Sequence, residues 1–73
     1  MRSDKYAVLW YKKNGSAALR RKFDDNKQIF SFGAGSGMAE SNLRKIADGC
    51  LRKLHNGEPE SQVEKWAKKQ VSG

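Results

Sequence analysis

Tyr11, Lys12, Lys13, Arg20 and Lys22 fall within one short stretch, and Arg44 and Lys45 follow further along the chain. Ammonium and guanidinium groups beside an aromatic hydroxyl make a set suited to nucleic acid. The cations seek phosphates, Arg can reach guanine O6 and N7, and Tyr can bind the backbone. Catalytic chemistry has no comparable set. His55 and Cys50 are the only residues of their kinds, so no Cys and His cluster can hold zinc or iron. Asp24 and Asp25 adjoin in a tight turn, the other acids are scattered, and no nucleophile has an evident base. The expectation is a non-catalytic chain with no cofactor and no metal.

The charge balance points the same way. Fifteen Lys and Arg against eight Asp and Glu give +7 over 73 residues, with +5 of it carried by residues 1–33 and +2 by residues 34–73. So high a charge on so small a domain favours a polyanion. Duplex DNA is the expected partner, and RNA or an acidic protein are the rivals. A membrane and a small-molecule substrate are not expected. The lone cysteine excludes an internal disulfide, no apolar run approaches the roughly 20 residues that span a bilayer, and Met-Arg-Ser-Asp-Lys lacks the apolar core of a signal peptide. Those features suggest a reducing cytoplasm.

Three strands must position the cations. YAVLWYKK predicts the first over 6–13, because it is rich in aromatic and branched residues with no breaker inside. Asn14-Gly15 predicts a two-residue hairpin turn. That turn would set Tyr11 against Ala18, Val8 against Arg21 and Tyr6 against Phe23. A second strand over 16–23, a turn centred on Asp25-Asn26 and a third strand over 28–32 complete the sheet. Leu19 would then face Phe32, and Arg21 would face Phe30.

A period of two sorts these strands into faces. Tyr6, Val8, Trp10, Leu19, Phe23, Phe30 and Phe32 form the apolar one. Ala7, Leu9, Tyr11, Lys13, Ala18, Arg20, Lys22, Ile29 and Ser31 form the other, the expected binding face, with Lys12 at the hairpin tip. Arg21 breaks the pattern by pointing into the apolar face. Either its guanidinium reaches water or a carboxylate past the helix edge, or a bulge shifts the end of the second strand.

The apolar face needs a cover, and a helix over 37–55 supplies it. Ala39, Leu43, Ile46, Ala47, Cys50, Leu51 and Leu54 recur at helical spacing, and Arg44, Lys45, Asp48, Arg52 and Lys53 take the opposite side. Ser36 is the expected cap, and Gly57 the expected stop. Cys50, on the apolar stripe, is expected to be an inert core thiol. The GAGSG run at 33–37 lacks the Lys-Ser or Lys-Thr of a phosphate loop and reads as a connector. Ser61-Gln62-Val63-Glu64 is a capping-box pattern opening a short second helix over 61–71, with Trp66 docking on the body. The whole is an α+β domain over 1–73: a three-stranded antiparallel sheet packed on one long helix, with a short C-terminal helix.

This layout resembles the amino-terminal, arm-type DNA-binding domain that precedes the catalytic part of many phage and genomic-island tyrosine recombinases. LWYKKNG, IFSFG and MAESNLRKIADGCLRKLHNGEPE carry the resemblance, which covers roughly Tyr6 to Pro59. In that family a strand closing on a Leu-Gly-like pair precedes a helix opening on a Leu-Ala-Glu-Ala-Arg-like run, and a Gly-x-x-Pro-like ending follows. Phe32-Gly33, Met38-Ala39-Glu40-Ser41 and Gly57-Glu58-Pro59 occupy those places here, with Ser41-Asn42 standing for the small residue and Arg. The resemblance implies DNA binding through the sheet by Tyr11, Lys13, Arg20 and Lys22. It does not imply recombinase activity, and the chain would be an excised domain or a free-standing relative.

Overall fold

Three antiparallel strands, β1 (Tyr6–Tyr11), β2 (Ser16–Arg21) and β3 (Lys27–Phe32), lie in the order β1-β2-β3 and are followed by α1 (Glu40–His55) and α2 (Glu60–Ser72). The computed structural model describes residues 4–72; the expected domain limits of 1–73 and the start of the Met-Arg-Ser-Asp-Lys segment lie outside them. Both helices cover one face of the sheet. α1 packs on β1 and β2, while α2 packs on β3 and on α1. Leu19, Phe30 and Phe32 of the sheet meet Leu43, Ile46, Cys50 and Leu54 of α1 and Val63 and Ala67 of α2 in one core. The α+β class and the three-stranded sheet are as expected, although at 13 residues α2 is nearly as long as α1 at 16.

β1 ends two residues earlier than Asn14-Gly15 predicts, and its pairing with β2 shifts by two. β1 ends at Tyr11, opposite Ser16, so Val8 pairs with Leu19 and Tyr6 with Arg21. Residues 12–15 form the loop, in which the Asn14 amide donates to the Tyr11 carbonyl at 3.1 Å and the Gly15 amide to that of Lys12 at 3.3 Å. Asn14 does not take the positive φ that the two-residue turn requires. A shift of two leaves every β1 residue on its expected face, since a strand's side chains alternate with period two.

The second turn departs further. Asp25 and Asn26 do adopt positive φ, at 50° and 58°, but a 3-10 turn over Lys22–Asp24 ends β2 at Arg21 rather than at residue 23. Phe23 therefore leaves the apolar face: it is 64% exposed, with its ring edge-on to Tyr6 at 5.8 Å. Leu19 pairs with Phe30 and Arg20 with Gln28, which leaves Ile29 as the extra residue of a bulge in β3. Ile29, expected among the outward residues, packs against the core.

The misfit of Arg21 is resolved by a carboxylate, with the bulge one residue upstream. Its Nε donates to Glu60 Oε2 at 2.9 Å and its NH2 to Glu60 Oε1, while Asp24 lies 3.4 Å from NH1. The Tyr6 hydroxyl donates to the same Glu60 Oε2 at 3.1 Å. A half-buried carboxylate at the start of α2 thus ties that helix to β1 and β2. The Arg21 hydrogen bond holds the Glu60 carboxyl below the usual carboxylate range, with a further lowering from Tyr6, against an opposing effect of burial. Because the folded value lies below the unfolded one, this share of stability is present above roughly pH 4.3 and is lost as the pH falls through the folded value. Glu60→Gln should therefore melt below the parent at neutral pH, by a margin that narrows at acid pH. Thermal melts of both proteins from pH 7 to pH 3 check this, and a margin that does not change with pH would show that the charge contributes nothing.

Both helices start elsewhere than the caps predict. α1 begins at Glu40 instead of residue 37, with the carbonyl of the capping residue Ala39 accepting the Asn42 and Leu43 amides. Ser36 closes the preceding turn instead: its hydroxyl donates to the Gly33 carbonyl at 2.6 Å and accepts the Met38 amide at 3.1 Å. Ala39, outside the helix, is exposed. The stop at Gly57 is as expected, with the Gly57 amide on the Leu54 carbonyl and that of Glu58 on Lys53, the paired hydrogen bonds of a Schellman ending. α2 starts one residue ahead of Ser61, directly after Pro59, whose carbonyl accepts the Gln62 and Val63 amides. No capping box forms, and Glu64 instead pairs with Lys68 at 2.7 Å. Trp66 docks as expected, half-buried on Gly49, where an added Cβ would come within 2.3 Å of the indole. Lys53 lies over the Trp66 ring, its Nζ 5.0 Å from the ring centre.

Candidate nucleic-acid interface

Of the expected binding face, the sheet itself carries Tyr11 and Arg20. They point away from the helices, at opposite corners of the β1–β2 ladder, with the Leu9–Ala18 pair between them. Arg20 reaches along the sheet to bridge that gap, its NH2 donating to the Tyr11 hydroxyl at 3.2 Å. The two side chains explain a feature that alternation alone does not: Ala18 is fully buried although no helix covers its face. Leu9 beside it stays 40% exposed. Arg20 Nε is buried and lacks a hydrogen-bond partner. Among the described residues no carboxylate pairs with Arg20, in contrast to Arg21, whose guanidinium is held by Glu60 and Asp24.

Lys13 and Lys22, expected on the same face, are not on strands. The early hairpin puts Lys12 and Lys13 in the exposed loop at one end of the sheet, and the 3-10 turn puts Lys22 at the other. The backbone amide of Lys22 bonds the Lys5 carbonyl at 2.8 Å, which fixes that end. Lys12 and Lys13 have no ion pair among the described residues, so their charges face water. The Arg20 guanidinium thus reaches the Tyr11 hydroxyl, Lys12 and Lys13 follow Tyr11 into the loop at the tip of the first hairpin, and Lys22 stands at the other end.

Arg44 joins this end from the other layer. Its guanidinium lies over the Trp10 ring, 5.4 Å from the centre, and 3.7 Å from Glu40. Lys45, the next residue, is on the solvent side of α1, in the layer opposite Tyr11 and Arg20. Between the hairpin loop and the approach to α1 opens a groove of about 320 Å³. Trp10, Lys12, Ser16, Met38, Glu40 and Leu43 line it, and Tyr11 borders it. Sequence reasoning missed this groove. Met38 and Glu40 carry no pattern that separates them from the helix start, and only the delayed start at residue 40 leaves them beside β1.

The inventory for other chemistry is short. Burial pushes the Cys50 thiol up to about 12, which makes it a poor nucleophile at neutral pH. Among the described residues no group of three or more His, Cys, Asp or Glu could hold a metal ion, and no helix is long and apolar enough to cross a membrane. Comparison of the chain with protein-family models, with curated proteins and with solved structures finds no match.

Proposed function

We propose that this chain is a non-catalytic DNA-binding domain that lays the tip half of its first hairpin and the uncovered face of its sheet on duplex DNA. The observation that carries this reading is the Tyr11–Arg20 pair on the bare face. A guanidinium with no carboxylate partner among the described residues, braced by the hydroxyl of a tyrosine that two exposed lysines follow in the loop, is a phosphate- and base-seeking arrangement. A two-stranded ribbon fits the major groove of B-DNA, where Arg20 is placed for a base edge and Lys12 and Lys13 for phosphates. Arg44 extends the cationic surface around the β1 edge. The net charge of +7 supplies the long-range attraction. The resemblance to recombinase arm-type domains supports the same use of the sheet.

The test is a titration of labelled duplex DNA by fluorescence anisotropy at several salt concentrations, with single-stranded RNA and an acidic protein alongside. Duplex binding should weaken steeply with salt. Lys12→Ala and Lys13→Ala should each reduce the salt slope by roughly one unit for the lost phosphate contact. Lys45→Ala should leave it unchanged. Equal slopes in all three variants would remove the hairpin from the interface, and a preference for RNA or for the acidic protein would replace duplex DNA as the partner.

A further inference from the structure

We infer that the groove beside β1 receives one unstacked guanine of a bound DNA strand, an inference that rests on the DNA-binding function proposed above. The groove combines three kinds of wall. Half-buried Trp10 and Met38 offer apolar surface to a flat ring, with Leu43 itself buried and the Arg44 guanidinium over the Trp10 ring, as aromatic and apolar side chains do where proteins hold splayed bases. Lys12, in the wall itself, is placed for the phosphate that follows such a base, with Lys13 next along the loop. Glu40 is the one carboxylate, and a groove made only for phosphate has no use for it.

That carboxylate selects the ligand. Its ion pair with Arg44 spans 3.7 Å and its side chain is 55% exposed, so its oxygens keep acceptor capacity. Ionised carboxylates only accept hydrogen bonds. Guanine presents two adjacent donors, N1–H and the exocyclic amine, which match the two oxygens of one carboxylate. Thymine and adenine set an acceptor beside their donor. At about 320 Å³ the groove lies near the lower bound of small-ligand sites, room for one ring system and not for a helix or a second copy of the chain.

The test compares three versions of one labelled duplex by anisotropy: blunt, with a single 3′ guanine overhang, and with a single 3′ thymine overhang. The guanine-tailed duplex should bind at least roughly five-fold more tightly than the blunt one, and the thymine-tailed duplex should fall between them. Met38→Trp, which fills the groove, should abolish the gain while leaving blunt-duplex affinity in place. Glu40→Gln should erase the difference between guanine and thymine, and this exposed position decides the matter if Met38→Trp does not fold. Blunt binding with an intact salt slope and no gain from the overhang would overturn the inference and leave the hairpin interface standing. A gain that persists in both variants would also overturn it, by placing the base elsewhere, and no binding to any of the three duplexes at low salt would end both readings.

Discussion

Gly33→Ala should destabilise the domain by about 2–5 kcal/mol, the sum of a strained backbone and a steric clash. Gly33 sits at φ +95°, a conformation that L side chains rarely adopt, in the turn that leads from the sheet toward α1. An added Cβ would come within 2.6 Å of Leu43 Cδ2 and 3.1 Å of the Gly15 carbonyl oxygen. The carbonyl is hairpin-loop backbone and has to give by a few tenths of an ångström, and Leu43 Cδ2 ends a buried side chain that has to turn within a packed core. For a chain of this length total stability is expected at about 4–11 kcal/mol, so the substitution removes a large part of it. Gly35→Ala is the internal control. Gly35 also has positive φ, at 72°, but a Cβ there meets nothing within 4 Å, so only the backbone share of about 1–2 kcal/mol should be lost. Urea melts of the two variants check the difference, and equal losses would show that the close approach at Gly33 is harmless.

The second large effect is expected at Leu19. It is fully buried, the central strand's contribution to the point where sheet and helices meet. Leu19→Ala should cost about 2–5 kcal/mol, from lost burial plus the cavity left behind, and lower the melting midpoint by roughly 10 °C or more. A leucine on the adjacent strand and the opposite face provides the contrast. Leu9 lies on the bare face and is 40% exposed, so Leu9→Ala should cost well under half as much. If the proposed interface is correct, Leu9→Ala also reports on DNA contact without disturbing the core. Calorimetry of both variants distinguishes the two faces, and similar losses would mean that the uncovered face is packed in solution.

The layers of the fold are legible in the sequence because they rest on period and hydrophobicity. The stripe from Leu43 to Leu54 is buried residue for residue, and Val8 and Trp10 keep their helix-facing side despite a register error. The error was of the harmless kind, a shift by two. What alternation cannot encode is where a strand stops. Lys13, Lys22 and Phe23 continue the pattern of β1 and β2, yet the backbone turns before reaching them, and two of the expected site residues leave the face as a result. Ser36 illustrates the same limit for helices. Its hydroxyl oxygen is a good acceptor for a first-turn amide, but it accepts the Met38 amide within a local turn instead. Pairings between distant residues were only half visible. Arg21 announces its need for a carboxylate, whereas nothing in the neighbourhood of Glu60 announces that it is the one, 39 residues away. The Tyr11–Arg20 hydrogen bond follows the same logic, since the two residues are near in either register and their contact depends on side-chain reach.

The bulge at Ile29 bears on how this domain avoids aggregation. A sheet of three strands leaves two free edges, and each offers unpaired backbone groups to another chain. Along β3 that template is interrupted at Ile29, and the strand opens on the exposed charge of Lys27, so it presents no continuous ladder. β1 has neither device: Tyr6–Tyr11 is uncharged and unbroken. From the helical layer, Glu60 brings a charge to the Tyr6 end of that strand and Arg44 brings one to Trp10, which gives Arg44 a protective part as well as an electrostatic one. Edge-to-edge misassembly, when it occurs in concentrated solution, should therefore start at β1, the strand that the proposed DNA complex would shield.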